Sequence, residues 1–289
     1  MPLTVLLVLG TTHFFFDQLY TAKFFSLSYY NPSTQLYNKG PGDWPFVTTW
    51  VLFFTLLRAI LMRFIFTPFF HHFAPHPTRR TATRFAEQAW SVTYYSISFS
   101  IGLYIVLNSP YWGDIRELWA DYPQIESTGF FKTYYLVETA FWLQQVFVLN
   151  IEARRKDFWQ MLCHHFVTCT LIFMSYTYNV TRVGNAILCI MDFSDILLSV
   201  TFQLNQALIL LARKDVEIPR ITKTLRHDIL SFPRFMAIYT TLHIQFHTLL
   251  RILRCPTNLP PRQQTQTKLP IRSPERWRDM GTGFPMEPT

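Results

Sequence analysis

The sequence predicts an all-α fold: a polytopic membrane helical bundle of about six to seven spans. Three observations predict it. Long apolar runs recur along the 289 residues, and only 15% of residues are charged, against roughly a quarter in soluble domains. The basic residues behind the net charge of +8 fall in short clusters between those runs. That is the pattern of cytoplasmic loops and headgroup contacts, and it argues against a nucleic-acid partner. Cys163, Cys169 and Cys189 lie inside apolar runs, so no disulfide framework is implied.

Residues 1–45 begin with a short apolar segment at 3–16, read as a shortened span or an interfacial anchor. They continue as a polar loop with turn formers at Asn31-Pro32 and Gly40-Pro41-Gly42. Residues 46–212 hold the membrane domain. Its first span covers 46–70, with Arg58 and Arg63 either snorkelling and pairing within the bundle or meeting a headgroup or phosphate, and a loop rich in His and Arg follows at 71–88. The next spans are expected at 89–107, 130–150, 158–178 and 185–212. Residues 108–129 between two of them are acidic and carry Trp and Tyr, which suits an interfacial segment. A basic collar, Arg154, Arg155 and Lys156, precedes the span at 158, and NVTRVG at 179–184 forms a six-residue turn. Residues 213–254 are a basic loop with a poor last span at 229–253, interrupted by Pro233 and Arg234. Residues 255–289, with seven prolines, read as a disordered tail. Clustered Lys and Arg at 71–88, 151–157 and 213–228 put the N-terminus and those loops in the cytoplasm, with 17–45 and 108–129 on the far side.

The chemistry concentrates at 154–199. His164 and His165 lie in one apolar run, and Asp192 and Asp195 in the next. An ionisable group costs several kcal/mol in hydrocarbon, so each marks a candidate functional site. The two runs should pack as antiparallel neighbours across the short turn. Asp195 then stands level with Thr168, within roughly 5 Å of His165 in depth at 1.5 Å per residue. Asp192 and Asp195, three apart, share a helix face, whereas the adjacent histidines point about 100° apart, so only one is expected to face the carboxylates squarely. A buried Asp beside His fixes the tautomer and stabilises the imidazolium, which makes the His a base or a nucleophile; the structural alternative is a polar clamp between helices.

RRKDFWQMLCHHFVTCTLIFMSYTYNVTRVGNAILCIMDFSD at 154–195 closely resembles the longevity-assurance motif of ceramide synthases, within the TLC-domain family. FFSLSYYNP at 24–32, TRFAEQAW at 83–90, NSPYW at 108–112 and FWLQQVFVLNIE at 141–152 resemble the fungal branch. The resemblance implies a TLC-domain helical bundle in the endoplasmic reticulum membrane and the activity of a sphingosine N-acyltransferase. Its substrates would be a fatty acyl-CoA and sphinganine or phytosphingosine. Neither cofactor nor metal is implied, and there is room for a homo- or hetero-oligomer with a related synthase. The family's paired histidines fall on His164 and His165 and its aspartates on Asp192 and Asp195. The collar residues Arg154, Arg155 and Lys156 lie at the cytoplasmic mouth, where they either meet the CoA phosphates or serve only as positive-inside anchors. Past the aspartates, LLSVTFQLNQALILLARKDVEIPRITKTLRHD departs from the family's continuation. The alternative within the family is an inactive lipid-binding or regulatory subunit. Outside it stand the di-iron hydroxylases, for which HHFAPH at 71–76 and HIQFH at 243–247 lack the H-x-x-H-H boxes.

The topology predicts that a tag inserted in 108–129 reacts with an impermeant reagent only after the membrane is opened. Labelling from the cytoplasmic face of sealed membranes would contradict it.

Overall fold

The computed structural model describes residues 23–74, 78–112, 115–119, 122–151 and 158–215, with side chains as far as Leu204. The short apolar run at 3–16, the basic collar at 154–156, the poor span at 229–253 and the tail at 255–289 lie outside the described residues.

The described chain is mostly helical, with one departure from all-α. The polar segment before the first span folds as a two-stranded antiparallel hairpin, β1 (Tyr30–Asn31) and β2 (Leu36–Tyr37). Tyr37 also bridges to Ser127, tying the hairpin to a later loop. Pro41 opens a 3-10 turn, Pro41–Asp43, that leads into α1 (Trp44–Leu61). Pro45 sits in the first turn of α1, where a missing N–H costs nothing. A π-helical turn, Met62–Phe66, then joins α1 to α2 (Thr67–Phe73). Its cause is Pro68, which has no N–H for the carbonyl four residues back; the ladder widens instead, and Thr67 N–H donates to Met62 O.

α3 (Arg79–Leu107) begins ten residues earlier than the span expected at 89. Thr78 caps it, accepting from Thr81 N at 3.3 Å while Thr81 Oγ1 accepts from Thr78 N at 3.1 Å. Arg79, Arg80 and Arg84 are therefore helical, not loop residues. α4 (Gly129–Ile151) and α5 (Phe158–Thr177) keep close to their expected limits. α5 ends where Asn179 takes a left-handed φ of 58° and Val180 N–H returns to Ser175 O at 2.9 Å. α6 (Thr181–Asp215) starts inside the expected six-residue turn, shortening it to Tyr178, Asn179 and Val180, and runs unbroken past the boundary expected at 212.

Four helices close a circuit: α3 on α4, α4 on α5, α5 on α6 and α6 on α3, with α1 against the outside of α4. α5 and α6 are neighbours, as the short turn leads one to expect, while the most extensive contact is α3 with α6. Gly102 explains part of it, because a Cβ there would lie 2.7 Å from Cys189 Sγ of α6 and fall on the Tyr134 hydroxyl of α4. α4 is the central helix, with Tyr135, Phe141 and Trp142 no more than 1% exposed. Tyr94 of α3 stacks on Phe141 with centroids 3.3 Å apart, and Phe54 of α1 meets both rings edge-on. Outward faces are apolar: Phe64, Phe147, Trp159, Phe166, Ile190 and Phe193 are exposed. Among the described residues, Pro41–Phe73, Arg79–Leu107 and Thr181–Leu204 are each long and apolar enough to cross a membrane. The protein is a multi-pass membrane protein.

A buried ion pair locks the end of the bundle that carries the β-hairpin. Lys132 Nζ, at the start of α4, lies 2.8 Å from Asp43 Oδ1. Its other two protons go to Ser28 O at 2.9 Å and Asn38 O at 2.7 Å. Asp43 Oδ2 accepts from Tyr176 of α5 at 2.6 Å and from Gly40 N at 3.2 Å. Lys39 Nζ donates to Gln124 O at 2.7 Å and to Thr181 Oγ1 at 3.1 Å; burial, with the charge of Lys132, holds its pKa down at about 8. Beside this clamp a cavity of about 360 Å³ opens between α1, α4 and α5, lined by Lys39, Trp44, Leu136, Ile172 and Phe173.

Lys132→Met should cost about 3–5 kcal/mol, because it strands a buried carboxylate, and Lys132→Met with Asp43→Leu should recover most of it. Thermal unfolding of the detergent-purified variants checks this; a single variant as stable as wild type would contradict it.

Candidate active site

Each helix of the circuit contributes two polar or aromatic side chains to one interior layer. α3 gives Tyr94 and Ser98, one turn apart, and α4 gives Glu138 and Trp142, again one turn apart. α5 gives the adjacent His164 and His165, and α6 gives Asp192 and Asp195. With a rise of 1.5 Å per residue, Ser98, Glu138 and Asp192 lie roughly 14–17 Å from the hairpin ends of their helices. Tyr94, Trp142, both histidines and Asp195 lie roughly 18–21 Å from those ends, close to the middle of a bilayer core about 30 Å thick.

Both histidines are buried in the bundle, although they are adjacent on α5 and point about 100° apart. His164 and His165 are 4% and 6% exposed, with ring centroids 5.4 Å apart. Trp142 makes this arrangement work: its indole meets His164 edge-on at 5.7 Å and His165 at 5.5 Å, filling the wedge between two side chains that diverge by 100°. Thr168, one turn on, turns its hydroxyl back to His164 O at 2.9 Å.

The carboxyls are held from α3. Asp192 is fully buried, and its Oδ2 lies 2.6 Å from Ser98 Oγ. Ser98 Oγ also bonds Glu138, whose Oε1 accepts from Tyr94 OH at 2.9 Å. Asp195, one turn along α6, is half-buried. The tightest expected pair, His165 with Asp195, is level in depth but is not joined by a hydrogen bond or an ion pair. Depth fixes only one coordinate. Laterally, α6 leans on α3 and carries Asp192 to Ser98. His165 Nδ1 and Asp195 Oδ2 are both buried without a partner among the described residues. Each is a buried polar atom whose hydrogen-bonding capacity is unused among the described residues.

Ser98, Tyr94, Glu138 and Trp142 complete the site, and none was singled out from the sequence. Glu138 carried the same signal as the aspartates, an ionisable residue in an apolar run. Tyr94 and Ser98 are four residues apart, as are Glu138 and Trp142, which places each pair on one helix face. A serine or tyrosine in a span, however, carries too little cost to stand out.

Residues 84–240 match the model of the TLC domain. The chain belongs to the TLC-domain family. All four helices of the circuit lie within the matched segment, apart from the first turns of α3. Among curated relatives, the chain is 47% identical over 180 residues to the sphingosine N-acyltransferase lag1 of Schizosaccharomyces pombe, covering 62% of this chain and 46% of the relative. It is 44% identical over 178 residues to the ceramide synthase FUM18 of Gibberella moniliformis, covering 62% and 42%. It is 38% identical over 185 residues to the ceramide synthase LAG1 of Saccharomyces cerevisiae, covering 63% and 45%. The chain spans about half the length of the curated relatives it matches.

Proposed function

We propose that this TLC-domain protein is a sphingosine N-acyltransferase, joining a fatty acyl-CoA to the amine of sphinganine or phytosphingosine. The observation that carries the reading is the pair of histidines buried in one membrane layer with three carboxyls, an arrangement that a scaffold has no chemical need to hold. The names of its relatives point to the same reaction.

A sphingoid amine is mostly protonated at neutral pH and must lose a proton before it attacks a thioester. The ammonium releases one proton to solvent as it binds; as the neutral amine attacks, His165, with an unpartnered Nδ1, accepts the second N–H proton, the amide C–N bond forms, the thioester C–S bond breaks, and that proton passes to the CoA thiolate. In the alternative route His164 or His165 attacks first, and the amine resolves an acyl-imidazole. Asp195 supports the imidazolium once substrate draws the layer together, since catalytic hydrogen bonds are often long in a free enzyme. Asp192 completes the acidic half of the layer. Arg154, Arg155 and Lys156 would receive the CoA phosphates at the cytoplasmic mouth. The reading needs no cofactor or metal. It places six to seven spans in the endoplasmic reticulum membrane with the N-terminus cytoplasmic, and it allows assembly with a second copy or a related synthase.

Expression in cells lacking this activity, supplied with acyl-CoA and sphinganine, should yield ceramide. His165→Ala or Asp195→Ala should cut the yield by at least about 100-fold, the scale of a lost acid–base group. No ceramide from the unaltered chain would point instead to a lipid-binding or regulatory subunit. Replacing Arg154, Arg155 and Lys156 together with Gln should raise the KM for acyl-CoA, and an unchanged KM would remove the collar from the site.

A further inference from the structure

Ser98 Oγ touches two carboxyls, Glu138 and Asp192, and the second contact is 2.6 Å long. A serine hydroxyl has one proton and can donate to only one of them. The other contact is a hydrogen bond only if that carboxyl carries a proton of its own and donates it to Ser98 Oγ. Charge leads to the same conclusion. Neither carboxyl has an ion-pair partner among the described residues, and Glu138 Oε2 and Asp192 Oδ1 are buried with no donor. Two ionised carboxylates sharing one serine at the depth of hydrocarbon would each cost several kcal/mol without compensation.

The donors also say which carboxyl is neutral. Tyr94 OH, at 2.9 Å, and Ser98 Oγ converge on the same oxygen, Glu138 Oε1, which suits the anion. Asp192 meets only Ser98. The neighbours change nothing in this count: Tyr95, Tyr134 and Cys189 are O–H and S–H groups, and Asp195 is a further acid.

We propose that Glu138 and Asp192 hold one proton between them through Ser98, with Glu138 the anion and Asp192 the neutral acid. Glu138, Ser98 and Tyr94 are then positioning residues that act through Asp192. For the acyl-transfer reading, on which this consequence rests, Asp192 is a proton and hydrogen-bond donor, and the carboxylate left to support an imidazolium is Asp195.

The test is infrared spectroscopy of the purified full chain in lipid nanodiscs, in H₂O and in D₂O. The unaltered protein should show a protonated-carboxyl C=O band that moves down in D₂O. That band should be lost in Asp192→Asn, and it should persist in His165→Ala and in Glu138→Gln, where burial still keeps Asp192 neutral. If Glu138→Gln does not fold, Ser98→Ala serves, and its band should move to higher wavenumber as the hydrogen bond to serine disappears. A band that survives Asp192→Asn unchanged, is lost in Glu138→Gln, or stays unmoved in Ser98→Ala overturns the proposal. The band does not depend on turnover, so absence of ceramide from the same wild-type sample would count against the acyl-transfer reading and leave the shared proton standing.

Discussion

Hydrocarbon offers a carboxyl no hydrogen bond, so every polar group at mid-bilayer must find its partners inside the protein. The circuit of α3, α4, α5 and α6 is built around that constraint. Glu138, Asp192 and the two histidines could not be carried on lipid-facing surfaces at bearable cost. Each helix turns its pair inward, and the bonds that offset the cost run between helices: Tyr94 and Ser98 of α3 to Glu138 of α4 and Asp192 of α6. The same bonds explain why α3 and α6 form the widest contact although 73 residues separate Thr181 from Leu107 and only a short turn separates α5 from α6.

The apolar packing serves this layer. Phe141 and Trp142 are adjacent on α4 and face different neighbours. Phe141 stacks against Tyr94 and keeps its hydroxyl pointed at Glu138, while Trp142 wedges the imidazoles. At the hairpin end, Lys132 and Asp43 fix the start of α4 to the start of α1, and Tyr176 brings in the end of α5. Glu138 lies six residues from Lys132, so the rotation set at the clamp is carried to the layer by less than two turns of rigid helix.

Much of this was legible in the sequence, because the strongest signals are also the costliest features. Apolar runs of span length located the five long helices among the described residues, and His164, His165, Asp192 and Asp195 stood out because charge in such a run is expensive. Three things were not legible, each for a physical reason. The start of α3 was hidden because Arg79, Arg80 and Arg84 read as loop, while a reciprocal threonine cap makes them helix. The lateral packing was hidden because a short turn fixes which helices are antiparallel but not which faces touch. Ser98 and Tyr94 were hidden because hydroxyls are cheap in a span and gain meaning only from the carboxyls opposite.

The central claim is that the polar layer is retained for chemistry and not for cohesion. Replacing Ser98, Glu138 and Asp192 together with Ala, Leu and Leu separates the two roles, when Tm and ceramide formation are measured on the same preparation. A buried polar network exchanged for apolar groups of similar volume is typically neutral or stabilising by about 1–4 kcal/mol. The account predicts a Tm equal to or above that of the unaltered protein and no ceramide. A large fall in Tm would identify the layer as a structural clamp and contradict it.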